Sequence, residues 1–225
     1  MKLQLTIDHG KRHEVIALVD MLADHVDVIE IGYPQVVTFG LGLVEELRAA
    51  HPDLVICVDA KVFHGGTGVT TRCFEAGANI VTCLSAAPNP VIEKMVAKSK
   101  NYGGQIMCDM SAPARSFAQR TAEVDELGVD YIAVHTGFAP EYDYDLDTHR
   151  FFGFMPKVKP LDLAKVAKRN LRHAGLCLNT GINESNIRDV VALGPEIIMV
   201  GRGILDTDDW VASAERLRRY MPFEG

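Results

Sequence analysis

A carboxylate and an ammonium group stand close together near the end of one strongly apolar run of the chain. The run Val55-Ile56-Cys57-Val58 is followed by Asp59 and Lys61, and then by the glycine pair Gly65-Gly66. Side chains alternate between the two faces of a strand, so Asp59 and Lys61 point the same way, roughly 7 Å apart along it. Two charges at the end of a buried strand are unfavourable unless they act on another charged group. The stretch therefore indicates either a structural ion pair or a catalytic pair.

Other apolar runs also end in residues that can carry a charge or a proton. On the inward parity these strand ends supply Asp8, Glu30, Cys83, Asp109 and His135. If the strands close into a barrel, these side chains surround one mouth, where barrels collect catalytic groups from several strands. Four carboxylates around one lysine repel one another unless a cation lies among them. Glu30 and Asp59 are therefore candidate Mg²⁺ ligands, because this ion prefers oxygen donors and retains several waters.

Two glycine-containing turns in the last third of the sequence predict an anion site. Asn179-Thr180-Gly181-Ile182-Asn183 follows the seventh apolar run, and Val200-Gly201-Arg202-Gly203-Ile204 follows the eighth. Glycines after strands seven and eight of a barrel let backbone N–H groups approach a phosphate closely. Arg202 can add a fork of hydrogen-bond donors. The pair of turns, at two neighbouring strands, predicts a phosphorylated ligand.

Eight apolar runs alternate with amphipathic stretches, which is the pattern of a parallel α/β sheet. The predicted strands are Leu3–Asp8, Val26–Ile31, Leu54–Asp59, Asn79–Cys83, Gln105–Asp109, Asp130–His135, Gly175–Leu178 and Glu196–Val200. The predicted helices are Lys11–Leu22, Val37–Ala50, Gly68–Ala76, Pro90–Ser99, Pro113–Leu127, Leu161–His173, Glu184–Leu193 and Asp208–Arg219. Eight such units close a (β/α)₈ TIM barrel. An open doubly wound sheet is the alternative, and the absence of G-x-G-x-x-G after the first strand disfavours it.

One segment interrupts the even spacing of these units. Between His135 and Gly175 the chain is too long for a simple loop and helix, and residues 138–156 are rich in aromatic and acidic side chains. A long loop at the carboxyl face of a barrel is where a lid or specificity element lies. A surface or interface loop is the alternative. We predict one barrel domain over residues 1–225 that carries this loop as an insertion.

Composition excludes several classes of partner. The 225 residues carry a formal net charge of −7, which argues against a nucleic-acid or anionic-membrane surface. No apolar run approaches the length of about 20 residues that spans a bilayer, and the N-terminus turns polar too soon for a signal peptide. The five cysteines are scattered without a CxxC motif, which is typical of buried thiols in a reducing cytosol. We therefore predict a cytoplasmic protein without a structural zinc site.

These residues resemble the orotidine 5′-monophosphate decarboxylase suprafamily, and within it the group of 3-hexulose-6-phosphate synthase and 3-keto-L-gulonate-6-phosphate decarboxylase. The likeness runs nearly end to end and includes Ile29-Glu30-Ile31-Gly32, Asp59-Ala60-Lys61, Glu75-Ala76-Gly77-Ala78, Asp109-Met110, Gly128-Val129-Asp130-Tyr131, Val134-His135-Thr136-Gly137, Gly181-Ile182 and Val200-Gly201-Arg202-Gly203-Ile204. The resemblance implies a (β/α)₈ barrel that forms a homodimer with two composite sites. It also implies a Mg²⁺-stabilised 1,2-enediolate intermediate on a ketose phosphate.

The resemblance further implies a role for each matching residue. Glu30 and Asp59 would hold the metal, Lys61 would stabilise the enediolate oxygen, and His135 would be the acid or base near the reacting carbon. The remaining matches would bind substrate: Gly181, Gly201 and Arg202 at the phosphate, and Asp8 and Asp109 at substrate hydroxyls or at the lysine.

One position departs from the pattern of the family. The motif is Asp-x-Lys-x-x-Asp, and its last aspartate reaches into the partner's site, whereas this chain has His64 there. Histidine is neutral or cationic near neutral pH, so the charge beside Lys61 changes by at least one unit. Either His64 donates or accepts a proton on a different sugar phosphate, or the site binds a phosphorylated ligand without the ancestral reaction. We favour the first.

The sequence therefore predicts a Mg²⁺-dependent carbon–carbon lyase on a ketose phosphate, either an aldolase or a decarboxylase. A sugar-phosphate epimerase shares the fold, but the paired histidines and aspartates that hold its usual metal are not evident at the strand ends. A non-catalytic sugar-phosphate-binding protein is the third hypothesis, because of His64.

Overall fold

Eight parallel strands form a closed barrel in the computed structural model of the chain, which describes residues 1–111, 116–135 and 161–222. Each strand pairs with the next along the chain, and the last pairs with the first. The strands are β1 (Lys2–Ile7), β2 (Val28–Ile31), β3 (Val55–Val62), β4 (Ile80–Leu84), β5 (Gln105–Asp109), β6 (Tyr131–His135), β7 (Gly175–Asn179) and β8 (Ile197–Val200). The predicted (β/α)₈ barrel is confirmed.

Helices cover the outside of this barrel. Those in the described residues are α1 (Arg12–Leu22), α2 (Tyr33–Phe39), α3 (Gly42–Ala50), α4 (Gly66–Glu75), α5 (Asn89–Ser99), α6 (Phe117–Glu126), α7 (Asp162–Asn170), α8 (Ile187–Ala192), α9 (Arg202–Leu205) and α10 (Trp210–Arg218). A 3₁₀ turn, Lys100–Tyr102, follows α5. None of the helices in these three ranges has the length and apolar character that a bilayer crossing requires.

One helix prediction was wrong in detail, and one short helix was not predicted. The stretch predicted as one helix, Val37–Ala50, is two helices, because Gly40 ends α2 at a φ of +64° and α3 begins at Gly42. Glycine takes this left-handed conformation at little steric cost, so the chain changes direction there. The short helix α9 was not predicted, because four residues are too few to show a helical period.

Strand alternation separates the apolar side chains into two clusters. The inner cluster fills the barrel and consists of Val28, Cys57, Ile80, Met107, Tyr131, Ala133, Cys177, Ile197 and Met199. The outer and larger cluster, which includes Leu5, Ile29 and Val134, lies between the strands and the helices. Complete burial of one such side chain contributes about 1.5–3 kcal/mol, so the two clusters hold the strand register firmly. Register in turn decides which residues reach the mouth of the barrel.

One inward position was assigned to the wrong residue. Cys83 belongs to the outer cluster, and its neighbour Thr82 points inward instead. The strand β4 continues to Leu84, one residue past its predicted end, so the inward parity runs through Ile80 and Thr82. The ring of strand-end groups therefore contains a hydroxyl where a thiol was expected.

Candidate active site

A cavity of about 890 Å³ opens among the strand ends at one mouth of the barrel. Its described lining includes most of the site residues expected from sequence, namely Asp8, Glu30, Asp59, Lys61, His135, Gly181, Gly201 and Arg202. Asp109 and His64 are not among the described lining residues. Asp109 nevertheless contacts Lys61 and His135, which both line the cavity. His64 is not one of these cavity residues.

Lys61 lies between two buried carboxylates. Its Nζ atom is 3.1 Å from Asp59 Oδ2 and 2.5 Å from Asp109 Oδ2. Burial disfavours the ammonium, but the two carboxylates outweigh this and raise the pKa of Lys61 above its usual range. For Asp109 the balance is the reverse: burial raises its pKa, but the neighbouring imidazole of His135 and the charge of Lys61 lower it strongly. Lys61 is therefore a cation and Asp109 an anion at neutral pH, and the ammonium is a fixed positive charge at the cavity.

A distortion at the end of β3 brings Lys61 to this position. Lys61 has a φ of +42°, and the β3–β4 register shifts between Val58 and Val62. Thr82 stabilises the distorted segment, since its hydroxyl donates to Asp59 Oδ1 (2.7 Å) and accepts from the Lys61 N–H (2.9 Å). The sequence prediction of a regular strand missed both the distortion and Thr82. Thr82 could have been predicted as a site residue, because it lies two residues after Ile80 and so on the same inward face of β4.

Glu30 is held inside the barrel by neutral donors. Its Oε2 atom accepts hydrogen bonds from Gln4 Nε2 (2.5 Å) and Thr6 Oγ1 (2.8 Å), and only 4% of the residue is exposed. Burial and the neighbouring carboxylates of Asp59 and Asp8 raise the pKa of Glu30 to about 8. Glu30 therefore retains its proton at neutral pH unless a cation stabilises the carboxylate.

Asp8 is the fourth carboxylate of the site, after Asp59, Asp109 and Glu30. Burial and Asp59 raise its pKa, although His9, Lys61 and Arg202 oppose the change. Its place beside β2 depends on Gly32, because a Cβ atom there would collide with the Asp8 carboxylate. The site thus carries more negative charge than its lysine balances, which is the electrostatic condition for binding a cation.

Glu30 and Asp59 are the residues that could hold a divalent metal. In the described ranges, no group of three or more His, Cys, Asp or Glu side chains is arranged to hold a metal ion. Mg²⁺ does not need such a group, because it is commonly bound through one or two carboxylates together with water and substrate oxygens. The donor chemistry of Glu30 and Asp59 fits this mode of binding.

His135 lies on the other side of Asp109. The His135 Nε2 atom is 3.5 Å from Asp109 Oδ1, and the Nδ1 atom is 2.9 Å from Thr180 Oγ1. Asp109 Oδ1 also accepts the Ser111 N–H at 2.8 Å, which fixes the carboxylate. Asp109 therefore connects the lysine and the histidine and orients both toward the same cavity.

The two glycine turns lie side by side at the opposite wall of the cavity. Gly181 has a φ of +71° after β7, and Gly201 immediately precedes α9. A Cβ atom at Gly203 would collide with the Ile182 carbonyl oxygen, so only glycine allows the turns to pack this closely. Arg202, the residue after Gly201, also lines the cavity. Glycine turns and an arginine thus line this wall, and backbone N–H groups and a guanidinium are chemistry suited to a phosphate.

His64 lies just beyond the end of β3 and is exposed. Its neighbour Phe63 is also exposed, by 51%. His64 is therefore not part of the cavity lining that the described residues of its own chain form. The predicted loop insertion at 138–156 falls outside the described residues.

Comparisons with known proteins match nearly the whole length of the chain. The model of the orotidine 5′-phosphate decarboxylase / HUMPS family matches residues 1–217. A 3-hexulose-6-phosphate synthase of Staphylococcus epidermidis is 33% identical over 218 residues and 97% of each chain. The enzyme of the same description from Bacillus subtilis is 31% identical over 98% of this chain and 99% of its own.

Solved structures give the same picture of the fold. The crystal structure of 3-hexulose-6-phosphate synthase from Salmonella typhimurium superposes with a TM-score of 0.86 at 27% identity, over 98% of both chains. The crystal structure of KGPDC from Streptococcus mutans gives a TM-score of 0.77 at 20% identity, over 97% of this chain and 96% of the other. At that identity the second comparison supports the barrel alone.

Proposed function

Because the chain belongs to the orotidine 5′-phosphate decarboxylase / HUMPS family, we propose that it cleaves a carbon–carbon bond of a ketose phosphate through an enediolate, with Mg²⁺ as cofactor. As in its relatives, the chemistry is that of a carbon–carbon lyase on a sugar phosphate. The observation that carries the mechanism is the Lys61 ammonium, held between Asp59 and Asp109 opposite the phosphate-binding wall.

Cleavage beside a carbonyl leaves an electron pair that needs stabilisation. In a 3-hexulose 6-phosphate, breaking the bond between C1 and C2 releases C1 as formaldehyde and leaves an enediolate over C2 and C3. Loss of CO₂ from a 3-keto sugar acid phosphate leaves the same kind of anion. The Lys61 ammonium stabilises this oxyanion, and a divalent cation held by Glu30 and Asp59 would supply Lewis-acid stabilisation of the same oxygens.

The remaining groups position the substrate and move protons. Gly181, Gly201 and Arg202 hold the phosphate, whose binding energy fixes the sugar against the reacting centre. His135 exchanges a proton with the reacting carbon, and Asp109 orients the imidazole. Asp8 accepts a hydrogen bond from a substrate hydroxyl.

Isotope exchange tests this chemistry directly. With Mg²⁺ in D₂O, a pentulose 5-phosphate is expected to take up deuterium at C1, because enediolate formation makes that hydrogen exchangeable. Chelation with EDTA is expected to slow the exchange by at least about a hundredfold, and added Mg²⁺ to restore it. Proton NMR measures the exchange, and assays for released formaldehyde or CO₂ then identify the bond that breaks.

Each alternative gives a different result in this experiment. Exchange at C3 instead of C1 would identify an epimerase. Phosphate binding by calorimetry without any exchange, and without an effect of EDTA, would identify a binding protein.

We infer that two copies of the chain form a homodimer with composite sites. Three large apolar side chains are exposed on two elements that pack together: Tyr33 (46%) and Val37 (66%) on α2, and Phe63 (51%) directly after β3. Exposed aromatic and aliphatic groups on neighbouring elements are typical of protein interfaces. His64 follows Phe63 and lies outside its own cavity, so a second copy is the partner that would bring it to a site.

Subunit mixing tests this assembly. Lys61→Met is expected to lower turnover by at least about a thousandfold and His64→Ala by at least about tenfold, since the first removes the fixed charge and the second a group that can carry a proton. A random mixture of the two variants is expected to recover about a quarter of the wild-type rate, because half of the dimers then carry one intact site. Mixing Lys61→Met with the Lys61→Met/His64→Ala double variant is the control and should recover nothing. A monomer in sedimentation velocity, or a mixture no more active than its components, would contradict the inference.

The cysteines agree with the cytoplasmic location that we expect. All five are free and buried. Burial raises the pKa of Cys73 to about 11, so this thiol stays protonated and unreactive at neutral pH. Buried free thiols of this kind are typical of proteins in reducing compartments.

A further inference from the structure

Thr180 has a backbone conformation that β-branched residues avoid. It follows β7 with a φ of +77°, directly before Gly181. The left-handed region is sterically unfavourable for a residue branched at Cβ. Such strain persists only where the surrounding structure enforces it, and it is concentrated at functional sites. The side chain of Thr180 therefore has a role that a glycine could not perform.

The hydroxyl of Thr180 has two acceptors within reach. Its Oγ1 atom is 2.9 Å from His135 Nδ1 and 3.3 Å from Asn179 Oδ1. His135 and Asn179 are paired neighbours at the ends of β6 and β7, and all three residues line the cavity. A hydroxyl both donates and accepts, so it can satisfy Nδ1 whether or not that nitrogen carries a proton.

The opposite edge of the imidazole faces a carboxylate. His135 Nε2 is 3.5 Å from Asp109 Oδ1, and Lys61 keeps Asp109 ionised. A negative oxygen favours an N–H group at Nε2, which leaves a lone pair on Nδ1 of the neutral ring. The Thr180 hydroxyl is placed to donate to that lone pair.

We propose that Thr180 is a positioning residue for His135, whose hydroxyl holds the imidazole in one orientation while the ring gains and loses a proton. In the neutral ring with its proton on Nε2, the hydroxyl donates to Nδ1. When both nitrogens carry protons, the hydroxyl rotates, accepts from the Nδ1–H and donates to Asn179 Oδ1. This role rests on the proposed function, in which His135 exchanges a proton with the substrate.

Three substitutions separate positioning from folding. Thr180→Val keeps the shape and removes the hydroxyl, so kcat is expected to fall at least about tenfold while KM stays within about threefold. Thr180→Ser keeps the hydroxyl and is expected to remain within about threefold of wild type. Thr180→Gly relieves the backbone strain, so it should melt no lower than wild type and still lose kcat as Thr180→Val does. Full activity of Thr180→Gly or Thr180→Val would overturn the proposal.

A measurement on the free protein tests the same role without substrate. Long-range ¹H–¹⁵N NMR spectra of protein labelled at histidine report which ring nitrogen carries the proton, and a His135→Gln sample assigns the signals. Because Asp109 is unchanged, we expect His135 to carry its proton on Nε2 in wild type and in both variants. The Nδ1 signal is expected to move in Thr180→Val, where the hydrogen bond from the hydroxyl is lost, but not in Thr180→Ser. Unchanged signals in Thr180→Val overturn the role of Thr180, whereas a wild-type enzyme that turns over no sugar phosphate overturns the proposed function alone.

Discussion

Replacing Lys61 with methionine is expected to lower kcat by at least about a thousandfold, because the ammonium is the fixed positive charge for the developing enediolate. Methionine keeps the length of the side chain and removes its charge. Phosphate binding should persist, because Gly181, Gly201 and Arg202 lie at another wall of the cavity. Steady-state kinetics together with calorimetry of phosphate binding would measure the two effects separately.

The same substitution is expected to destabilise the fold. Without the ammonium, Asp59 and Asp109 remain buried at 6% and 4% exposure and lose their counter-charge. The loss should be about 2–4 kcal/mol, below the value for a fully buried pair because the Lys61 side chain is 31% exposed. Adding Asp109→Asn should recover part of this stability but no activity. The double variant therefore separates the catalytic effect from the structural one.

A surface lysine is the matched control. Lys165→Met removes an exposed ammonium that pairs with Asp162 three residues earlier on α7. Such pairs contribute little to stability, so both activity and unfolding should stay close to wild type. Equal effects of Lys61→Met and Lys165→Met would contradict the assigned role of Lys61.

Replacing Glu30 with glutamine is expected to remove activity and, in metal-free protein at high pH, to increase stability. The pKa of Glu30 is raised from 4.5 to about 8 in the folded state. Such a group contributes stability below pH 4.5, and the contribution is lost as the pH rises through about 8. As the pH rises from about 5 to about 9, the free energy of unfolding of the wild-type protein should therefore fall, on the order of a few kcal/mol, relative to that of Glu30→Gln.

Glutamine preserves the local packing in this variant. Its amide oxygen can accept the hydrogen bonds that Gln4 and Thr6 donate to Glu30 Oε2, so the comparison isolates the charge. Turnover with Mg²⁺ should fall by at least about a hundredfold, because one of two metal-binding carboxylates is lost. Mg²⁺ should also stabilise wild type more than the variant.

Urea denaturation at about pH 6 and pH 9, with EDTA and then with Mg²⁺, measures these changes. Glu45→Gln is the control, because Glu45 is exposed on α3 and its loss should leave the pH dependence unchanged. If wild type and Glu30→Gln showed the same dependence on pH, and Mg²⁺ stabilised both equally, neither the buried charge nor the metal role would hold.

Local patterns predicted the barrel and most of the groups around its mouth. Alternation along each strand put Glu30 and Asp59 on the inward face, since a strand repeats every two residues. The same rule wrongly placed Cys83 on the inward face instead of Thr82. Alternation gives the correct face only when the end of β4 is known to within one residue. Periodicity likewise missed the break at Gly40, where a single left-handed residue interrupts an otherwise helical pattern.

The kinds of group at the site, and the strands that carry them, could be predicted from the sequence. Which of these groups touch depends on the tertiary structure. Lys61 meets Asp109 across 48 positions of sequence, and His135 meets Thr180 across 45. Both contacts depend on strand register and on residues with positive φ, Lys61 and Thr180, which non-local packing enforces against local preference. Composition and periodicity report the local conformational preference of the chain. They therefore cannot identify residues whose backbone conformation is imposed by non-local packing.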